Sequence, residues 1–372
     1  MYISFNKIDT LVSAIAKIPL RGNEQVLILL AECHAKEVNE LVSNLNVRNI
    51  GLFGAIFPGL IYGDQTHEKG AIVKVLPLLG EPYLAQLGSD GIEWDNEPQI
   101  ISAGQHKSSS VFVLVECLSP NISGFLANLF NRFGNNVNYF GAGAGNSGLR
   151  KEPAVFTSAG FVSDAAVVAL LDQEIEVNVR HGWTPLKGPY IATRTDKNVI
   201  KELDWDVAEK VYRESLADEL NNIRPERFFP DVTKHYPFSI HREGGEDVVR
   251  DPIGITDKGG LVCVSDVQEN SVMYIMHGDP DSLIEAATLA VDEFKGSEDR
   301  QANSCLVSDC YSRALLLGND FNKELSAVAE KVSLKTGGII LEGVLALGEI
   351  AGDGERPLEF YNKTFVISIF YG

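Results

Sequence analysis

The sequence predicts an α/β (α+β) protein: two halves with mixed, partly antiparallel sheets covered by helices. Three observations lead there. Stretches with apolar residues three and four apart alternate with runs rich in β-branched and aromatic residues. Several of those runs follow one another with no helix between them, and antiparallel neighbours need only a turn where parallel ones need a long crossover. At 372 residues the chain also exceeds one ordinary core of roughly 100–200 residues, so two halves are expected.

Taken in order, helices fit Ile8 to Ile15 and Val38 to Leu45, and Ile122, Phe125, Leu126, Leu129 and Phe133 line one face of a third. Ala208 to Leu220 follows. Leu283, Ala286, Ala287, Ala290, Val291 and Phe294 line the next helix, which Asp279 caps and Pro280 starts, because a missing donor costs nothing at the first helical position. Phe321 to Val332 is the last, stopped by Gly337 and Gly338. Strands are expected at Val26 to Leu30, Ala71 to Leu76, Val111 to Leu118, Ala165 to Leu171, Leu261 to Ser265, Val272 to His277, Ile339 to Leu347 and Thr364 to Phe370. Val155 to His181 reads as successive strands broken near Asp172 and Gln173, and Gly244-Gly245 as a turn. No internal repeat is visible. The boundary is expected after Asn221-Asn222, where Pro225, Pro230 and Pro237 interrupt regular structure, giving 1–221 and 222–372. A sheet shared between the halves stays open.

Hydrophobic residues make up 45% of the chain and charged ones 22%, the usage of a folded globular protein. Its 32 basic and 51 acidic side chains leave a formal charge of −19, which repels phosphate backbones and anionic lipid. Nucleic acid is excluded as a partner, and so is membrane insertion, since no run of about 18 apolar residues occurs. With no signal-peptide pattern, the expected location is cytoplasmic. Cys33, Cys117, Cys263, Cys305 and Cys310 are scattered and hold no C-x-x-C pair, unlike a disulfide framework or a zinc site. No histidine has H-E-x-x-H spacing, so neither a metal nor a cofactor is expected.

The stretch Gly141-Ala-Gly143-Ala-Gly145-Asn-Ser-Gly148 contains G-x-G-x-x-G, but Pro153 and the strand-like Val155-Phe156 follow where a dinucleotide fold needs a helix. A tight backbone turn at a pocket or core is the reading, with Gly143 and Gly145 at its centre. Leu149 replaces the second glycine of a nucleophile elbow at Ser147. Cys310, after the strand-like Leu306-Val307-Ser308, is either a thiolate stabilised by a guanidinium or a buried thiol at a strand end. Arg313 has two fates: a bidentate grip on a ligand carboxylate, or the commoner pairing with an internal Asp or Glu. The same alternatives hold for Glu349. His181-Gly-Trp183-Thr-Pro185 ends a strand and suits either a pocket wall or a core tryptophan.

In order, these segments resemble the FIST family, a sensory module described as F-box and intracellular signal transduction protein, over nearly the whole chain. The N-terminal part of the resemblance lies in Gly51 to Pro58, Val111 to Leu118, Gly141 to Gly145 and His181 to Pro185, leading to Val199 to Asp204. The C-terminal part lies in Tyr236-Pro237-Phe238, Asp309 to Arg313, Leu317-Gly318, Gly343 to Ile350 and Phe360 to Thr364. Tyr361 stands where the family's last motif, His-Asn-x-Thr, has its histidine. The resemblance implies a ligand-sensing domain for small molecules such as amino acids, and it establishes no catalytic residues.

The leading expectation is therefore a stand-alone small-ligand sensing module in intracellular signal transduction, acting through a separate signalling protein. Its ligand, small and polar and of the amino-acid class, is expected between the halves. Arg313 holds its carboxylate, Glu349 its ammonium, and Asn362 and Trp183 complete the pocket, with His181, Cys310, Gly143 and Gly145 beside them. The alternatives are a cysteine-dependent hydrolase or transferase, with Cys310 as nucleophile and His181 or His277 as base, and an interaction scaffold that binds no ligand.

Overall fold

A computed structural model describes residues 1–98, 109–219, 229, 232–296, 300–352 and 358–372. The helices are α1 (Ile8–Ile15), α2 (Val38–Asn46), α3 (Ile122–Phe133), α4 (Ala208–Ser215), α5 (Pro280–Asp292), α6 (Tyr311–Leu317) and α7 (Phe321–Thr336). α5 starts as its sequence dictates, with the Asp279 carboxylate accepting from the Ser282 amide and Pro280 in the first turn. α7 ends at Gly337, whose φ of 74° is the left-handed cap. α4 stops short of Leu220, which lies outside the described residues; the Ser215 hydroxyl bonds back to the Val211 carbonyl at 2.6 Å, a competitor for helical continuation. α6 is a helix the periodicity does not reveal, because it is too short to repeat its apolar pattern.

The expected α+β class with mixed sheets holds, and those sheets contain a threefold structural repetition. Strands Glu24–Ala31 and Leu52–Phe57 run parallel, joined through α2, and Ala71–Pro77 lies antiparallel beside the first. Ser110–Glu116 and Asn138–Ala144 repeat this through α3, with Ala165–Leu171 as the antiparallel neighbour. Ala302–Cys310 and Glu342–Ala346 repeat it through α6 and α7, with Phe365–Tyr371. After each second parallel strand the chain forms a hairpin and gives it to another unit's sheet. Gly59–Tyr62 pairs with Glu342–Ala346, Val155–Thr157 with Leu52–Phe57, and Glu349–Gly352 with Asn138–Ala144. The exchange is cyclic, and it hydrogen-bonds the edge each parallel pair would otherwise leave open.

The inner faces of the three sheets meet in one core, to which Leu30, Phe57, Phe112, Phe140, Leu306, Val366 and Phe370 contribute. Outside, α3 packs Phe125, Leu126 and Leu129 on Val113 and Val115, while α5 and α7 bury Leu283, Val291, Leu325 and Val328 over Val307 and Ile367. A small β-rich insertion, from Thr184–Ile191 to Val272–His277, carries α4 and two further sheets. The boundary expected after Asn221-Asn222, with Pro225 and Pro230, lies outside the described residues. Strands from both sides of it pair directly, as Glu174–Arg180 does with Phe365–Tyr371. No described helix is long and apolar enough to cross a membrane.

The glycine stretch expected as a turn is strand as far as Ala144, and close packing explains its composition. A Cβ on Gly141 would lie 2.0 Å from the carbonyl oxygen of Val113, its register partner. A Cβ on Gly54 would likewise lie 2.0 Å from the Ile28 oxygen, and one on Gly343 2.1 Å from that of Val307, again opposite their register partners. Each unit thus requires a glycine at the same place, where only a bare α-carbon fits. Gly343→Ala is expected to cost about 1–3 kcal/mol of unfolding free energy in urea titrations, against less than about 0.5 kcal/mol for Gly80→Ala, whose Cβ meets nothing within 4 Å.

Candidate functional site

The carboxyl ends of the second parallel strands are tied together: the Gly145 amide donates to Ile56 at 3.0 Å, and the Gly143 amide to Gly348 at 2.7 Å. Beside this crossing, Cys310 ends its strand and opens α6. Its sulfur accepts the Lys363 amide at 3.2 Å and lies 3.2 Å from the Ser312 hydroxyl. The Lys363 carbonyl accepts the Trp183 indole N–H at 3.1 Å, and the Trp183 amide donates to Nδ1 of His181 at 2.8 Å. The His181 carbonyl accepts from Nη1 of Arg313 at 2.7 Å. Glu349 accepts the Thr364 amide at 3.2 Å and adjoins the Cys310 thiol. Six of the eight residues singled out in the sequence therefore belong to one cluster: Arg313, His181, Trp183, Cys310, Glu349 and its neighbour Asn362.

That cluster is interior. Arg313 and Glu349 are fully buried, and Trp183 packs into the apolar layer under α5 and α7. Of the two fates open to Arg313, the structure has the internal pair. Its Nε and Nη2 engage Glu324, at 2.6 Å for the closest contact, Nη2 also reaches the Leu283 carbonyl, and Asp309 lies 3.8 Å away. Little of the guanidinium remains for a ligand carboxylate. Burial raises the Asp309 carboxyl well above its usual range, reinforced by Glu324 and opposed by Arg313. Burial likewise raises Glu349, reinforced by Cys310 and Asp309. Both Asp309 oxygens, Oε1 of Glu349 and Oδ1 of Asn362 have no hydrogen-bond partner among the described residues. Burial lowers His181 and favours its neutral form. Among the described residues no histidine is a hydrogen-bond partner of Cys310. Gly143 and Gly145 serve the backbone crossing, Gly145 against Leu347 and Cys117.

A site the sequence reading missed lies where the insertion meets the hairpin Glu349–Gly352 and Glu359–Tyr361. A cavity of about 450 Å³ opens there, lined by Arg242, Arg250, Asp266, Gln268, Phe360 and Lys197 among others. Arg250, at the end of the strand Val248–Arg250, is 4% exposed. Its Nε donates to the Asp266 carbonyl at 2.9 Å, and its Nη1 to the carbonyls of Val249 and Phe360, both at 3.0 Å. Among the described residues its Nη2 has no hydrogen-bond partner, and no carboxylate pairs with it. Burial pulls the guanidinium below the usual arginine range without neutralising it. Two ion pairs flank the seam: Arg242 with Glu359 at 2.7 Å, and Lys363 with Asp251 at 3.0 Å. The segment from Glu359 to Thr364 thus touches the cavity at one end and the Cys310 cluster at the other. The only sequence signal for Arg250 was a charge closing the apolar pair Val248-Val249.

Residues 14–206 match the family model described as FIST N domain, and residues 208–352 the one described as FIST C domain. A search of curated proteins finds no match.

The raised carboxyls make a signed pH prediction. The folded chain keeps a proton on Glu349 that the unfolded chain releases above about pH 4.3. The folded state then binds more protons than the unfolded one, so stability falls as pH rises from there towards the folded pKa, by up to about 1.4 kcal/mol per pH unit per group. Glu349→Gln, permanently neutral, is expected to flatten this slope and to be the more stable form above neutral pH. Urea titrations between about pH 6 and 8.5 measure it; a slope equal to wild type would remove the buried neutral carboxyl.

Proposed function

Because the chain belongs to the FIST family, whose domains are sensory domains of signal transduction, we propose that it senses a small polar ligand bearing a carboxylate, of the amino-acid class. The observation that carries this reading is Arg250: a buried guanidinium with an unpartnered edge on a ligand-sized cavity. A buried cation that forms no direct ion pair is costly, and a bidentate carboxylate is the complement its fork is shaped for. The carboxylate role expected of Arg313 passes to Arg250. Arg313 instead fixes Glu324 and the His181 carbonyl behind the site.

Ligand binding acts through the segment Glu359–Thr364. Arg250 holds the Phe360 carbonyl, Arg242 holds Glu359 and Asp251 holds Lys363, so any shift of the insertion pulls on the loop that closes over Cys310. A carboxylate on Arg250 favours whichever seam geometry completes that grip, and the bias is no larger than the difference in affinity between the two geometries. The output passes to a separate signalling protein in the cytoplasm. A cavity with a mostly apolar lining and a buried charged anchor favours a ligand over a ligand-free scaffold.

Isothermal titration of the whole chain with small carboxylates is expected to find binding that Arg250→Gln weakens by roughly 10- to 100-fold, the worth of one charge-assisted contact. Arg250→Lys, which keeps the charge without the fork, is expected to fall between. If no carboxylate binds, or if binding is indifferent to Arg250→Gln in a variant that still melts cooperatively, the proposal is wrong.

A further inference from the structure

The cavity at Arg250 is one lobe of a longer groove. A second lobe of about 470 Å³ shares Ser123, Lys197, Asp266 and Phe360 with it and continues along Cys117 to Asn121. The N-terminus of α3 lies on this second lobe. Its cap residue Asn121 sits in the left-handed region at φ 61° and makes no side-chain cap. The amides of Ile122, Ser123 and Gly124, the donors every helix leaves free at its start, have no partner among the described residues. Ser119, 8% exposed, lines the same lobe with an unpartnered hydroxyl. Lys197, on a backbone turn of φ 53°, lines both lobes and has no ion pair among the described residues. The groove therefore has a positive site at each end: a guanidinium edge in the first lobe, and a helix N-terminus with an ammonium in the second. Between them Asp266 lines both lobes and its main-chain carbonyl accepts from Arg250 Nε; its carboxylate, like that of Glu359, acts on the guanidinium without forming an ion pair among the described residues.

Resting on the reading of Arg250 as the carboxylate anchor, we infer that the ligand carries a second anionic group, a carboxylate or a phosphate, at the end that reaches α3. A donor or ammonium lies next to its first carboxylate. The chemistry follows from the sequence of charges along the groove: Arg250 takes the first carboxylate, Asp266 takes the ammonium, and the α3 amides with Ser119 and Lys197 take the far anion. An acidic amino acid, or a phosphorylated hydroxy amino acid, has this order of groups. A neutral one leaves the α3 amides without an anion.

The test titrates the whole chain with L-alanine, L-glutamate and O-phospho-L-serine, in wild type and in two variants. Ser123→Glu sets a like charge at the start of α3, where acidic residues suit the helix, and Lys197→Asn removes the ammonium with a residue that tolerates the left-handed turn. The expected result is that at least one dianion binds wild type about 10-fold or more tightly than alanine. That ratio is expected to fall below about 3-fold in each variant while the melting temperature without ligand holds. Which dianion binds more tightly tells a carboxylate from a phosphate. A wild-type ratio near one, with alanine binding still lost in Arg250→Gln, overturns the second anion and leaves the Arg250 anchor standing. A high ratio that survives both variants also overturns it, because the far anion then sits elsewhere. If none of the three binds wild type, both readings fall together.

Discussion

Three pairs of parallel strands each present a backbone edge inside the molecule, and a buried edge without hydrogen bonds costs more than any side chain around it can return. The cyclic exchange of hairpins meets that constraint. Each unit lends the strands after its second parallel strand to another unit, so no unit is complete alone and the three sheets close around one core. The glycines at Gly54, Gly141 and Gly343 belong to the same solution. They let neighbouring backbones approach at the level where the chain prepares to cross over, and the crossing at Gly143, Gly145 and Gly348 follows directly.

The crossing makes part of the interior polar. Strand ends bring Asp309, Cys310 and Glu349 together with Arg313 and Glu324 in a space shut off from solvent. With more carboxylates than cations in the cluster, burial and mutual repulsion push Asp309 and Glu349 up and favour their protonated forms. Lys363 then acts as a strap. Its left-handed backbone, φ 51°, lets the amide reach Cys310 while the ammonium reaches Asp251 of the insertion. Such a conformation costs about 1–2 kcal/mol for a residue with a Cβ, and both ends of the strap compensate it.

Function then falls at the seam rather than in the cluster. A saturated interior network can orient and transmit, but a freely exchanging ligand needs an accessible groove and a group with spare valence. Arg250 has that valence because the insertion delivers its guanidinium between main-chain carbonyls, where it forms no ion pair among the described residues. The open start of α3 has it because Asn121 turns left instead of capping.

By itself the sequence determined the kind of elements and much of their placement: the amphipathic faces of α3 and α5, the cap at Asp279, the stop at Gly337 and the α+β class. It also brought Arg313, His181, Trp183, Cys310, Glu349 and Asn362 to notice, residues that do come together. Such features are written in local spacing, which one segment carries without reference to any other. Only the tertiary structure decided the threefold repetition, because the strands of each sheet are joined by backbone hydrogen bonds that leave no mark on side chains, as between Gly59–Tyr62 and Glu342–Ala346. It decided that the glycine stretch is a strand, that Arg313 spends its donors inside the protein, and that Arg250 does not. Whether an arginine is paired depends on the charges that distant segments bring within a few ångströms of it, and no spacing along the chain records that distance.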